Sequence, residues 1–232
     1  MQSGISSALI LEDDIDFTVG IRDVLTGVSK HLHSLTGATN GEEYGLADEE
    51  SWDVLHLGHC WNERPPEKTY PVASKIYEAW EDEYAPARGQ YVYLVPGAKS
   101  QRIRVLQPTY VVVCTQAYVV SLAGAQRLLY HVGGPGGTLY EPIDLVMMNL
   151  FRSGKLKGYT AVPSIFGQWK NGDFRDTDIQ GDQNPGDIEK GSGGDVIQSV
   201  RREMKNVWGG RAIWKDIESK SKPVISKRRQ RS

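Results

Sequence analysis

The sequence predicts an α/β protein with a mixed β-sheet flanked by helices. Residues 8–11 are a short apolar run, which is typical of a strand buried on both faces, and residues 52–57 predict a second buried strand. Apolar residues at positions 21, 24, 25, 28 and 32 recur at helical spacing and predict an amphipathic helix of about four turns between these strands. These three segments indicate the fold class.

Length and composition are those of an ordinary globular chain. The 232 residues suffice for one domain and a tail, and 39% hydrophobic with 24% charged residues is a normal balance. The net charge of −2 favours neither nucleic acid nor an anionic membrane as a partner. No apolar run is long enough to predict a transmembrane segment. We expect Cys60 and Cys114 to be buried free thiols.

Three consecutive acids follow the first strand and form the main candidate site. Ligands of α/β sheets collect outside the carboxyl ends of strands, where Glu12, Asp13 and Asp14 would lie. Three adjacent like charges need a cation or hydrogen-bond donors to offset them, and Mg²⁺ or Mn²⁺ prefers such oxygen ligands. Alternatively, the acids only favour the start of the following helix.

The middle of the chain holds further strands and loops. Residues 36–50 are predicted to be a loop and residues 61–89 a surface excursion that contacts an acceptor. The spacing of His56, His59 and Cys60 is weak as a metal motif, so packed histidines are expected. Residues 91–95 and 104–114, around a Pro-Gly turn signal, predict a hairpin.

The second half alternates strands and helices. Residues 118–120 predict a strand, and Ser121 is a suitable N-cap for the next helix. A further helix opens at Pro142 and carries Asp144 in its first turn, where an acid also suits the helix dipole. Residues 159–162 predict a last core strand, residues 171–194 a solvated loop, and residues 196–207 another helix. The basic end of the chain is expected to be a disordered tail.

Two families share this pattern. The acid-terminated strand and residues 38–43 and 52–58 resemble a response-regulator receiver domain, but Gly58 stands where a receiver has its phospho-accepting aspartate. The chain also resembles glycosyltransferase family 25, the group with lipopolysaccharide-type and collagen-type galactosyltransferases, in its eukaryotic microbial branch. That resemblance rests on ordered blocks at residues 8–14, 52–60, 116–129, 141–144 and 162–179.

The second resemblance implies a fold and an activity. It implies a GT-A-like mixed sheet that lacks the N-terminal βα unit or units, because only seven residues precede Ala8. We expect the first strand therefore to have an exposed edge. The implied reaction is metal-dependent transfer of a sugar, galactose in the family, from a UDP-sugar to a glycan or protein hydroxyl.

The resemblance also implies roles for particular residues. Mn²⁺ or Mg²⁺ would bind through Asp14 and Glu12, and Asp144 would be the catalytic base or an acceptor ligand. Asp53 and Asp178 stay open as alternative bases. The residues expected to shape the sugar-nucleotide pocket are Glu12, Asp13, Asp53, Gln168 and Asp178.

The expected organisation is one partial glycosyltransferase-like domain over residues 1–207 and a tail over residues 208–232. An inactive, truncated paralogue that acts as a binding module is an alternative function, and a receiver-like signalling domain is another.

Overall fold

The protein has a mixed α/β fold built on a mostly antiparallel sheet. A computed structural model describes residues 5–37, 51–64, 66, 76–134, 141–170, 191–192 and 195–208. In chain order, the elements are β1 (Ser7–Leu11), β2 (Ile15–Phe17), α1 (Ile21–Thr36), β3 (Val54–Gly58), β4 (Trp61–Glu63), β5 (Glu78–Glu81), a 3-10 helix (Gly89–Leu94), β6 (Ile103–Pro108), β7 (Val111–Val113), β8 (Ala117–Ser121), α2 (Leu122–Gly133), α3 (Ile143–Arg152), β9 (Gly158–Val162), β10 (Phe166–Lys170), β11 (Gly191–Ser192) and α4 (Val200–Trp208).

The main sheet has six strands in the order β1-β8-β3-β9-β6-β5. Strands β3 and β9 pair in parallel, and the other neighbours pair antiparallel. This pairing differs from the parallel, doubly wound sheet of a receiver domain. Strands β11, β10 and β2 form a second sheet, and β4 pairs with β7.

Helices cover both faces of the main sheet. Successive strand residues point to opposite faces, so Val119 of β8 packs in the cluster with α1, whereas Tyr118 and Val120 pack in the cluster with α3. Helix α1 contributes Val24, Val28 and Leu32 to its cluster. The buried stripe of α3 consists of Val146, Met147, Leu150 and Phe151, whereas Ile143, which the helical spacing also predicts to be buried, is 39% exposed.

Several predicted elements are confirmed. They are helix α1, the buried strand β3, strand β8, helix α3, strand β9 and, with a later start, helix α4. Ser121 caps α2 as expected, because its hydroxyl accepts a hydrogen bond from the Gly124 amide at 2.9 Å.

The prediction that the first strand is buried on both faces is wrong. Strand β1 is an edge strand of the main sheet, and Leu9, Ile10 and Leu11 are 44%, 41% and 44% exposed. An apolar run does not reveal how many neighbours its strand has. Among the described strands, β1 has a neighbour in the main sheet on one side only, which agrees with the expected exposed edge.

The predicted hairpin is also wrong. A turn exists at Gly97, with φ of 78°, but residues 89–94 form a 3-10 helix instead of a strand. Strand β6 pairs with β5 and β9 instead. Strands β5 and β10 were not predicted, because β5 has the charged sequence EAWE and β10 follows a Pro-containing turn.

The two cysteines correct another expectation. They were expected to be free thiols, but Cys60 and Cys114 form a disulfide with a Cα–Cα distance of 5.5 Å. The physical reason is the antiparallel pairing of β4 with β7, which aligns Trp61 with Val113 and so brings the adjoining cysteines together.

Some expectations fall on residues outside the described ranges: the loop at 38–50, most of the solvated loop at 171–194 with Asp178, and the tail from residue 209. Within the described part of the chain, no helix has both the length and the apolar character needed to cross a bilayer.

Candidate functional site at the end of strand β1

The acidic residues form the connection between β1 and β2. Strand β2 pairs with β10, and the register that aligns Ile15 with Gln168 brings Gln168 beside Asp14. The Gln168 side-chain amide donates a hydrogen bond to Asp14 Oδ2 at 2.7 Å, and the Trp169 backbone amide donates to the Asp14 carbonyl at 2.7 Å. Asp14 is therefore held from both its side chain and its backbone.

Glu12 is held by the segment that leads into β8. The Thr115 hydroxyl donates to Glu12 Oε1 at 3.0 Å, and the Glu12 amide donates to the Gln116 carbonyl at 3.0 Å. Partial burial raises the pKa of Glu12, and the carboxylates of Asp14, Asp13 and Asp144 raise it further, against the opposing effect of the Thr115 hydrogen bond. Burial is the largest cause of the raised pKa, and the three acidic neighbours add smaller contributions.

Asp144 is the acid that α3 contributes to the candidate site. Helix α3 packs on β7, and the Cys114 backbone amide donates to Asp144 Oδ2 at 3.0 Å. The Leu145 amide donates to the other carboxylate oxygen at 2.9 Å. The side chain is half-buried and lies off the buried stripe of its helix, as the sequence predicted.

Asp53 lies away from these acids. It precedes β3, whose Val54 pairs with Val120, whereas the acid-bearing end of β1 lies by Ala117 at the other end of β8. The buried Asp53 carboxylate forms an ion pair with Arg127 and accepts the Lys157 amide at 2.7 Å. These contacts make Asp53 a link between α2 and the start of β9.

The histidines near the end of β3 are packed side chains, as expected. His56 is buried among the rings of Tyr118 and Phe151, and neither of its ring nitrogens has a hydrogen-bond partner among the described residues. Burial lowers the pKa of His56 to about 3, with a smaller effect from His59. His59 Nε2 lies 3.1 Å from the Ala161 carbonyl oxygen, and burial lowers its pKa as well.

One carboxylate oxygen of Asp14 fits a bound divalent cation. Asp14 Oδ1 is a buried carboxylate oxygen without a hydrogen-bond partner in the described part of the chain. Such an oxygen is costly unless a cation or a donor satisfies it. The described residues contain no cluster of three or more His, Cys, Asp or Glu side chains arranged to hold a metal ion. A magnesium-type site needs only one or two protein carboxylates when substrate phosphates and water complete it.

Some residues of the site were not predicted. Thr115 holds Glu12, and the start of α4 brings Arg201 to the acids, where its guanidinium donates to the Asp13 and Ile15 carbonyl oxygens at 3.0 and 2.9 Å. The Arg201 guanidinium also lies 5.9 Å from the centre of the Trp169 ring. A lone Thr or Arg carries no signal in one sequence, because its role depends on strand pairing between distant segments.

In comparisons with known proteins, no family model, no curated protein and no solved structure matches the chain.

Proposed function

We propose that this chain belongs to a metal-dependent glycosyltransferase, which moves a sugar from a UDP-sugar to an acceptor hydroxyl. Gln168 donates a hydrogen bond to Asp14, and the consecutive residues Cys114 and Thr115 donate to Asp144 and Glu12. These bonds are the observation that carries the proposal, because they link Asp14, Gln168, Glu12 and Asp144. These four residues come from three separate blocks of the resemblance to glycosyltransferase family 25. The donor sugar in that family is galactose, and the mixed sheet would be of the GT-A type.

The cation proposed for the site is Mn²⁺ or Mg²⁺. Asp14 would hold it through the unpaired Oδ1 oxygen, with Glu12 as a second oxygen ligand. When bound, the ion supplies positive charge that offsets the diphosphate and stabilises the departing UDP. Gln168 contributes by fixing the Asp14 carboxylate through its 2.7 Å hydrogen bond.

Asp144 is the proposed base. An inverting transfer needs a carboxylate that takes the acceptor proton while UDP leaves from the opposite face of the sugar. The metal ligands are unsuited because a bound cation holds them in their charged, weakly basic form. Asp144 is fixed at a helix start by the Leu145 and Cys114 amides, which suits a group that must meet an acceptor hydroxyl.

The remaining predicted residues have separate parts in this proposal. Asp13 is exposed beside Arg201 and would contact the nucleotide. Asp53 is proposed only as a support for the end of β3, in view of its ion pair with Arg127. Asp178 stays a candidate for the nucleotide site.

The proposal is tested by calorimetry of UDP binding to the chain with and without Mn²⁺. We expect tighter binding with the ion and loss of that metal-dependent gain in Asp14→Ala. The matched control is Asp23→Ala, which removes an acid from the first turn of α1 and should leave UDP binding unchanged. Equal affinity with and without Mn²⁺ would contradict the proposed metal site.

A binding module without activity is the second candidate, and the exposed apolar edge of β1 favours it. The two functions differ in one measurement. A transferase turns over UDP-galactose to free UDP in the presence of acceptor or water, whereas a binding module leaves the sugar nucleotide intact.

A further inference from the structure

A three-residue segment connects Glu12 and Asp144, two carboxylates of the candidate site. We call it the strap, and it consists of Cys114, Thr115 and Gln116 between β7 and β8. One strap residue contacts Asp144 through its amide, and the other two contact Glu12 through a hydroxyl and a carbonyl, each at 3.0 Å. The relation between Glu12 and Asp144 therefore depends on the conformation of the strap.

One strap residue has a backbone conformation that persists only if the surrounding structure restrains it. Cys114 has φ of 70°, in the left-handed region that L-residues rarely adopt. Such a residue persists only where its surroundings fix it. The Cys114 side chain is bonded to Cys60, and its amide is bonded to Asp144. Of these two restraints, the disulfide is the covalent one.

The other half of the disulfide is anchored in the centre of the fold. Cys60 comes directly after β3 and His59, and its amide donates to the Val113 carbonyl at 2.9 Å. The neighbouring His59 exchanges hydrogen bonds with the Ser164 hydroxyl through its own amide and carbonyl, at 3.3 and 3.1 Å. The Gln116 side-chain amide lies 3.5 Å from the Cys60 sulfur and joins the strap to the same anchor.

We propose that the Cys60–Cys114 disulfide is a positioning element of the candidate site. It ties the strap to the end of β3 and thereby holds Asp144 and Glu12 in a fixed relation to each other. The functional part of this inference rests on the proposed function. The structural part, that the bond orders the strap, does not.

Opening the bond should release the strap while the sheet remains. A dithiol reductant attacks one cysteine sulfur as a thiolate, and the other cysteine leaves as a thiolate and takes up a proton. The second thiol of the reductant then closes a cyclic disulfide and frees the first cysteine. Two electrons pass to the protein and two cysteine thiols form. Cys114 can then leave its left-handed conformation, and its amide loses the alignment with Asp144.

The first test is amide hydrogen exchange of the intact chain before and after reduction by dithiothreitol. We expect exchange at the Cys114 amide to become at least ~10-fold faster, since local openings of this kind govern exchange rates. The Val119 amide in β8 is the control, because it exchanges through global opening, and the increase at Cys114 should exceed the increase at Val119. Unchanged exchange at Cys114, with mass spectrometry showing both thiols free, would overturn the proposal.

The second test uses the Cys60→Ala, Cys114→Ala double variant, which cannot re-form the bond. At a temperature well below its melting temperature, we expect kcat of this variant for sugar transfer to fall at least ~10-fold, because complete loss of a general base lowers the rate by more than this. The KM for UDP-galactose should change less. The control is Val28→Ala in the core beneath α1, which is destabilised without contact to the strap and should keep its kcat. An unchanged kcat in the double variant would contradict the positioning role.

Two further outcomes are distinguishable. If the double variant unfolds, trimethylamine N-oxide restores the fold without restoring the bond, and kcat is measured in its presence for both variants. If the oxidised chain shows no transfer at all, the proposed function fails, and hydrogen exchange at Cys114 alone decides whether the disulfide orders the strap.

Discussion

Asp144 accepts two backbone amide hydrogens, and this residue allows the proposed chemistry to be tested. Asp144→Asn keeps the side-chain shape and removes the basic oxygen. We expect the transfer rate to fall at least ~100-fold, the lower end for loss of a general base, with UDP and metal binding retained. Asp23→Asn is the matched control, because Asp23 is also a first-turn acid, in α1. A near-normal rate in Asp144→Asn would leave Asp144 as a helix-start acid only.

His56 makes a separate prediction about stability and pH. Its pKa is about 3 in the folded protein and near 6.5 when unfolded, so the unfolded state binds more protons between these values. Stability is therefore full above about pH 6.5 and falls as the pH drops. We expect the free energy of unfolding to decrease by about 2 kcal/mol from pH 7 to pH 5 for this group alone. Urea unfolding at the two pH values measures it.

His56→Phe provides the comparison for that measurement. The ring lies among aromatic neighbours and makes no hydrogen bond to the described residues, so replacing it with Phe leaves no partner unsatisfied. The variant should lose the pH-dependent part attributed to His56 and keep the part from His59, whose pKa burial also lowers. An unchanged slope would assign the pH dependence to other groups.

At the scale of elements, the exposed strand β1 predicts self-association. One edge of β1 pairs with β8, and the opposite edge pairs with no described strand. Residues 8–11 carry no charge. Ile10→Lys should weaken concentration-dependent association at least ~10-fold, the effect of ~1.4 kcal/mol. Leu129→Lys on α2 is the control, because Leu129 is also exposed but lies outside the strand. Sedimentation over a range of concentrations measures both, and equal effects would argue against edge pairing.

The elements also show which parts of the fold the sequence could predict. Helices α1 and α3 have clear apolar stripes, and Ser121 is a strong N-cap signal, so these were predicted correctly. The exposure of β1 depends on sheet order, which a local pattern does not contain. Strand β5 was missed because backbone pairing with β6 overrides its charged composition.

The same division holds for the candidate site. Glu12, Asp14 and Asp144 were recognisable as residue types in suggestive positions, and each accepts a hydrogen bond from a segment distant in sequence. Thr115 and the disulfide were not recognisable, because their roles arise from pairing between segments far apart in sequence.

At the scale of the whole molecule, the disulfide closes a long loop and should be a major stabilising element. Cys60 and Cys114 are 54 residues apart, for which the chain-entropy relation gives about 4 kcal/mol. Reduction should therefore lower the melting temperature by roughly 8–16 °C in a chain of this size. Calorimetry with and without reductant measures the change, and the double alanine variant should not respond to reductant. A reductant-insensitive wild type would contradict the estimate.

The pairing of β1 with β8 also has a consequence for how the protein is made. Ser7 leaves the ribosome more than 100 residues before Ser121, its partner in the sheet. At roughly 5–20 residues per second, the nascent β1 segment waits on the order of 10 s for that partner. Its apolar side chains are available to chaperones throughout this interval. Translation that stops before Gln168 yields a product whose Asp14 carboxylate lacks its hydrogen-bond donor, so premature termination gives chains with an unfinished site.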